Sequence, residues 1–128
     1  GNTAVAARAT QAALEAQTNE ATYASPDRVK FSPGVAKAYC QIDTNGILIA
    51  GSYNVASVTD VGVGDRTIVW DVDFSGTDYC LAGVVLAGSA AKLAVYGPLV
   101  VGSCKHYTLS LTPALEDVQS STIAFGDQ

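Results

Sequence analysis

The side chains best suited to chemistry are a single histidine, His106, and three carboxylates close in sequence, Asp71, Asp73 and Asp78. A serine hydrolase needs a histidine base that is oriented by a carboxylate beside the nucleophile, and no such motif accompanies His106. Apolar alternation places His106 on the outward face of a strand, as a solvated imidazole.

Two carboxylates about 5–9 Å apart could hydrolyse a glycosidic bond, which makes Asp71 and Asp73 the candidate pair. Their strand face has the pattern of a solvent face, so we expect solubilising charges there.

The cysteines and the glycine-rich loop provide no stronger candidate for a functional site than the histidine and the carboxylates. Cys40, Cys80 and Cys104 are widely spaced, and an odd number without paired Cys or His spacing argues against a disulfide framework and a zinc site. We expect three thiols buried in strands, in a protein made in the cytoplasm. Residues 60–65 lack the twelve-residue loop of calcium-binding hands, and no phosphate-binding glycine loop is present. The sequence therefore predicts no catalytic residue, no metal site and no cofactor.

Composition narrows the class of protein further. The 128 residues are 48% apolar and 15% charged, whereas soluble proteins carry about 25% charged residues, so part of the surface is expected to be hidden in an assembly. The net charge is −5 and the seven Lys and Arg residues are scattered, which argues against nucleic-acid binding. Apolar runs are far shorter than the roughly 20 residues of a membrane span, and no secretory signal pattern is visible.

The predicted helices and strands, which would position any functional site, fall into two regions that divide after residue 33. Residues 2–18 are rich in alanine and predict a helix. The small side chains of this helix, at residues 9, 12, 13 and 16, would let another copy approach closely. Ser25 and Pro26 predict the start of a short helix, and Pro33 with Gly34 predicts a turn. We therefore expect an N-terminal helix and joint over residues 1–33 and a β domain over residues 34–128.

From residue 35 the apolar pattern has a period of two, which is typical of strands. The first strand, residues 35–42, turns Ala36, Ala38, Cys40 and Ile42 inward. A turn at residues 43–46 leads to a returning strand over 47–53 and a third strand over 54–61. Glycines 62 and 64 form a loop with conformations closed to other residues.

Later strands follow the same pattern. In residues 66–74 the side chains of Ile68, Trp70, Val72 and Phe74 point inward, and Trp70 is expected to anchor the core. In residues 105–112 Tyr107, Leu109 and Leu111 are predicted inward, and His106, Thr108 and Ser110 outward. Residues 79–87 are apolar on both faces, which predicts a central strand or a strand lying against another subunit.

Short strands at residues 92–96, 98–101 and 121–125 complete the prediction. Seven or eight short strands with turns between them indicate a mainly β protein. We expect an antiparallel β-sandwich or barrel-like tip, preceded by the short N-terminal α-helix.

Several motifs resemble one known family. Residues 34–39 read GVAKAY, and the segment from Ser52 to Asp65 fits the pattern S-x-N-V-x-S-x-T-D-x-G-x-G-D. Together they resemble a module of tailed-bacteriophage tail fibres and related virion proteins, whose opening is GVAKAW-like. Residues 9–12 with Ser25 and Pro26, and residues 123–126 at the end, are also similar to that family. Tyr39 stands where the family usually has tryptophan.

The resemblance implies a homotrimeric tail-fibre component with its helix near the three-fold axis and its β domain at the distal end. Such a protein belongs to the virion, is made in the host cytoplasm, and contacts other virion proteins and a glycan or protein of the host surface. Three equivalent binding faces would combine weak affinities through avidity. The resemblance identifies neither the receptor nor the receptor-binding residues.

Three functions stay open at this point. The first is a virion structural protein that contacts the host cell surface and is not an enzyme. The second is an architectural decoration or adaptor domain of the capsid or tail, without a receptor. The third is a glycan depolymerase that uses Asp71 and Asp73. The sequence predicts neither nucleic-acid binding nor membrane insertion for any of them.

Overall fold

The structure is a computed structural model that describes residues 5–86, 91–112 and 114–128. The chain forms two compact units that divide between Val35 and Ala36. The chain is mainly β, as predicted, and its larger sheets are antiparallel. Among the described residues these sheets are open, and no closed barrel forms.

The N-terminal unit contains two short strands and two short helices. These are β1 (Ala7–Arg8), α1 (Gln11–Ala16), β2 (Thr22–Tyr23) and α2 (Pro26–Val29), and β1 pairs with β2 in parallel. The helix predicted over residues 2–18 is therefore too long, and residues 2–4 lie outside the described part. The side chain of Thr10 accepts the N–H of Ala13 and starts α1, whereas Gln17 adopts a left-handed conformation and ends it.

The second helix begins where the sequence indicates. Ser25 is its N-cap residue and Pro26 occupies the first turn, where the missing N–H of proline costs nothing. Asp27 follows in the first turn, where a carboxylate interacts favourably with the helix dipole.

The C-terminal unit contains a three-stranded sheet, which we call sheet 1. It comprises β3 (Ala38–Ile42), β6 (Cys80–Leu86) and β9 (Gln119–Phe125), in the order β3-β9-β6 and antiparallel throughout. The prediction of a strand over residues 35–42 is confirmed for Ala38, Cys40 and Ile42, which are all buried, but the strand begins only at Ala38 and Ala36 is partly buried before it. Of the two alternatives predicted for residues 79–87, the central strand is wrong, because β6 is the last strand of sheet 1, and a strand lying against another subunit stays a prediction; residue 87 lies outside the described part.

A four-stranded antiparallel sheet, sheet 2, completes this unit. It comprises β4 (Val55–Gly62), β5 (Asp65–Trp70), β7 (Lys92–Val100) and β8 (Ser103–Ser110), in the order β4-β5-β8-β7. Strand β7 joins the two short strands predicted over residues 92–101, with a register shift between Tyr96 and Leu99.

One apolar core draws on both sheets. Its buried members are Ala38, Cys40, Ile42, Ile68, Trp70, Phe74, Tyr79, Cys104 and Ala124. The prediction for Trp70 is confirmed: its ring meets Phe74 and Tyr79 edge to face, at centroid distances of 5.5 and 5.9 Å. Its indole N–H donates to the Tyr79 hydroxyl at 3.4 Å. Val72 is exposed, contrary to the prediction, because β5 ends at Trp70 and the alternation ends with it.

The predicted inward side of β8 is wrong. His106 and Thr108 are fully buried, whereas Tyr107 and Leu109 lie on the opposite face and Leu111 is exposed. Both faces of this strand carry mixed side chains, so local polarity does not decide which face is buried. The partners of the buried polar groups come from elsewhere in the chain: Thr108 accepts a hydrogen bond from Arg66.

The turn after β3 forms as predicted, but the returning strand is interrupted. The Asp43 carboxylate accepts the N–H groups of Asn45 and Ile47, at 2.8 Å each, which closes the turn. Residues 47–53 then run beside β3 and touch it only through isolated bridges, Tyr39 with Tyr53 and Ile42 with Leu48.

Candidate functional site

The motif that resembles the fibre family has structural tasks in this chain. Asn54, with φ of +53°, donates from its amide to the carbonyl of Val72 and accepts the Val72 N–H, at 3.1 and 2.6 Å. Asp60 accepts the N–H of Gly62 at the end of β4. Asp65 forms an ion pair with Lys105 of β8 at 2.8 Å. The contacts of Asn54 and Asp60 stabilise the β4–β5 hairpin itself, and the ion pair of Asp65 joins the hairpin to β8, so these motif residues support the fold.

Gly64 and Arg66 organise one end of sheet 2. Gly64 donates its N–H to Oδ1 of Asp117 at 2.7 Å, and the same oxygen accepts Nη2 of Arg66 at 3.2 Å. Arg66 also donates to the carbonyl of Thr44 and to Oγ1 of Thr108. The guanidinium is fully buried, so its planar set of donors connects three separate segments of the chain. This cluster supports the fold, and among the described residues Nε of Arg66 has no hydrogen-bond partner.

His106 is not an accessible base. Its side chain is fully buried in sheet 2, with its ring centroid 5.3 Å from that of Tyr96. Burial lowers the pKa of His106 to about 4, and the positive charge of Arg66 adds to this effect. Among the described residues neither ring nitrogen has a hydrogen-bond partner. The imidazole is a neutral core side chain, which corrects the predicted solvated position.

The three candidate carboxylates lie on the surface, and the three thiols differ in burial. Asp71, Asp73 and Asp78 are exposed, in the segment between β5 and β6. No group of three or more His, Cys, Asp or Glu side chains in the described ranges could hold a metal ion. Burial raises the pKa of Cys40 to about 11 and that of Cys104 to about 12. Cys80, by contrast, is exposed on β6, so the prediction of three buried thiols is wrong for this residue.

The candidate site is a cleft of about 560 Å³ on the outer face of sheet 1. This volume falls within the range of roughly 300–1,000 Å³ that is typical of small-molecule sites. The outward side chains of three neighbouring strands line it, together with a wall from the returning segment; they are Tyr39, Gln41, Ser121, Ile123, Ala82, Val84, Ala50 and Gly51. The strand register sets Tyr39 opposite Ile123 and Gln41 opposite Ser121.

Small residues on β6 keep the cleft open. Ala82 lies beside Ile123 and Val84 beside Ser121 in the β6–β9 register. Between them, Gly83 faces the core, where the Tyr96 hydroxyl occupies the space that a side chain would need. Sheet 1 therefore approaches Tyr96 closely on one side and presents a shallow floor on the other.

Tyr39 is the aromatic residue of the cleft lining, and a second tyrosine, Tyr53, packs against it. Tyr39 and Tyr53 stack with a centroid distance of 5.8 Å and an interplanar angle of 25°. Both are about half exposed, at 47% and 48%. Backbone hydrogen bonds in both directions between these residues, at 3.1 and 2.9 Å, hold the two backbone segments together, and the ring of Tyr39 lines the cleft.

Sequence reasoning did not identify this cleft. The contact between Tyr39 and Tyr53 had no sequence signal, because a regular hairpin about residues 43–46 would pair Tyr39 with residue 50, and the observed pairing depends on the irregular returning segment. The other walls come from β6 and β9, which lie 40 or more residues further along the chain. No local pattern joins those strands to β3.

No protein-family model matches the chain, and neither the curated proteins nor the solved structures include a significant match. In the parts of the chain that the structure describes, no helix is both long enough and apolar enough to cross a membrane.

Proposed function

We propose that this chain is the distal domain of a tail fibre, or a similar appendage, of a tailed bacteriophage, and that it binds the host cell surface without acting as an enzyme. The observation that carries the proposal is the cleft on sheet 1. It combines the ring of Tyr39, which stacks on Tyr53, with polar side chains and contains none of the three candidate carboxylates. Such a site suits binding, and the motif that resembles the fibre module supplies the virion context.

Two finer features belong to the same proposal. We propose that sheets 1 and 2 pack face to face as a β-sandwich, which the shared core of both sheets supports. We also propose that the chain forms a homotrimer. Strand β6 supports this assembly, because it lies at the end of its sheet, contains no charged residue and exposes Leu86, which does not line the cleft.

The exposed apolar side chains of β6 also favour a second candidate function, an architectural domain that docks on other virion proteins. In that case the apolar strand would contact a different protein, and the cleft would have no host ligand. The two functions differ in whether the isolated full chain binds cells.

Binding of the fluorescently labelled full chain to a panel of bacterial strains tests the proposal. We expect binding to a subset of strains, reduced by Tyr39→Ala and unchanged by Asp73→Asn. Sedimentation equilibrium should give a mass of three chains. Absence of binding to every strain would favour the architectural function. Release of soluble saccharide from cells, abolished by Asp73→Asn, would show a depolymerase instead.

A further inference from the structure

The lining of the cleft on sheet 1 is mainly apolar, includes a few polar side chains and carries no fixed charge. Its hydrogen-bonding side chains are Tyr39, Gln41 and Ser121, and it contains no Lys, Arg, His, Asp or Glu. The hydroxyl of Ser121 and the amide of Gln41 make no hydrogen bond within the described part of the chain. These groups therefore have donors and acceptors available to a ligand.

Tyr39 gives the cleft a rigid aromatic surface. One side of its ring stacks on Tyr53, and the ring also lines the cleft. A tyrosine held in this way can contact an apolar ligand surface with little loss of side-chain entropy on binding. Gln41 follows two residues later on the same face of β3, so a ligand on the Tyr39 ring lies next to an amide.

The charge of the site restricts the class of ligand. A phosphate, a nucleotide or an acidic sugar would need a cation nearby, and the cleft has none, in a chain of net charge −5. A peptide that adds a strand would pair with a strand edge, whereas the cleft lies on the face of sheet 1. A neutral ligand with one apolar face and a polar rim fits these features.

We propose that the cleft binds one ring of an uncharged saccharide. The C–H face of the sugar stacks on Tyr39, and its hydroxyl groups bond to Gln41 and Ser121. Ala82 and Ile123 contact the apolar part of the ring. This inference rests on the proposed function, because it names the chemical class that the surface-binding domain recognises.

A microarray of neutral and acidic bacterial oligosaccharides tests the ligand class with the full chain. We expect retention of neutral glycans, weakened about tenfold by Tyr39→Ala and by Gln41→Ala and preserved by Tyr39→Trp. Tyr23→Ala, which changes an equally exposed tyrosine of the N-terminal unit, is the matched control and should have no effect. Glycan binding that survives both cleft substitutions would overturn the proposal, as would selective retention of acidic glycans.

Cells treated with periodate or with protease distinguish a failure of this proposal from a failure of the proposed function. On strains that bind the labelled chain, periodate oxidation of sugar diols should abolish binding, and protease treatment should leave it intact. Binding that protease removes and periodate spares would overturn the saccharide inference, while the surface-binding function would stand. Absence of binding both to cells and to the array would overturn both proposals.

Discussion

The hydroxyl of Tyr96 on β7 lies 2.8 Å from Oγ1 of Thr122 on β9, so one hydrogen bond links sheet 2 to sheet 1 through the protein interior. The Tyr96 hydroxyl also occupies the space beside Gly83 on β6. Burial raises the pKa of Tyr96 to about 12, so the phenol remains neutral at any ordinary pH. The floor of the cleft therefore depends on a polar contact beneath it.

Tyr96→Phe should destabilise the chain by about 1–2 kcal/mol, because it leaves the buried Thr122 hydroxyl without its partner. Thr122→Val removes the hydroxyl on the other side of this hydrogen bond. Urea denaturation of both single variants and the double variant measures the coupling, which we expect to be about 1 kcal/mol. Strictly additive effects would show that the hydrogen bond contributes nothing.

His106 should make stability depend on pH in a defined window. Its pKa is about 4 in the folded chain and near 6.5 when unfolded, so only the unfolded state gains a proton as the pH falls from 6.5 to 4. Its contribution is complete above pH 6.5 and is lost on acidification, by about 3 kcal/mol in total. Denaturant melts between pH 7 and 4.5 measure the loss.

His106→Gln is the control for this effect, because it should flatten the pH dependence above pH 4.5. The carboxylates with lowered pKa values, Asp27 and Asp43, act only at lower pH. An imidazole that titrates near pH 6.5 in the folded chain by NMR would contradict the buried position.

Gly64→Ala should be far more disruptive than Gly62→Ala. Gly64 has φ of +62°, and a Cβ there would meet the carbonyl oxygen of Thr108 at 2.6 Å. Gly62 has open space around its Cα and no positive φ. We expect Gly64→Ala to cost more than about 1 kcal/mol and Gly62→Ala to change stability by less than about 0.5 kcal/mol. Equal thermal unfolding temperatures for the two variants would contradict the geometry.

The three thiols should differ in reactivity. Cys80 is exposed, whereas Cys40 and Cys104 are buried and their pKa values are raised. A thiol reagent added to the folded chain should therefore modify one cysteine, and Cys80→Ser should abolish the reaction. Rapid modification of all three in the native state, followed by mass spectrometry, would show that the core opens readily.

The alternation of side chains along a strand predicted the buried face correctly where the two faces of the strand differ clearly. Ile68 and Trp70 alternate with Thr67 and Val69, and Ala38 to Ile42 alternate with Tyr39 and Gln41, so the buried faces were identified. Strand β8 was predicted the wrong way round, because the burial of Thr108 depends on Arg66 and on the backbone of Glu116.

The site was harder to predict than the fold. The cleft requires β3, β9 and β6 to be neighbours in that order, which is a property of the complete topology. The carboxylates that the sequence offered as a candidate catalytic pair are surface charges. The side chains that line the site, such as Gln41 and Ser121, are of types that occur on any exposed strand.

An NMR titration of the isotope-labelled full chain tests the central claim most directly. The probe is the purified envelope polysaccharide of a strain that the chain binds. We expect the largest shifts at Tyr39, Gln41, Ser121 and Ala82. Shifts confined to the loop at residues 61–64, or no shifts at saturating polysaccharide, would contradict the account of the cleft as the binding site.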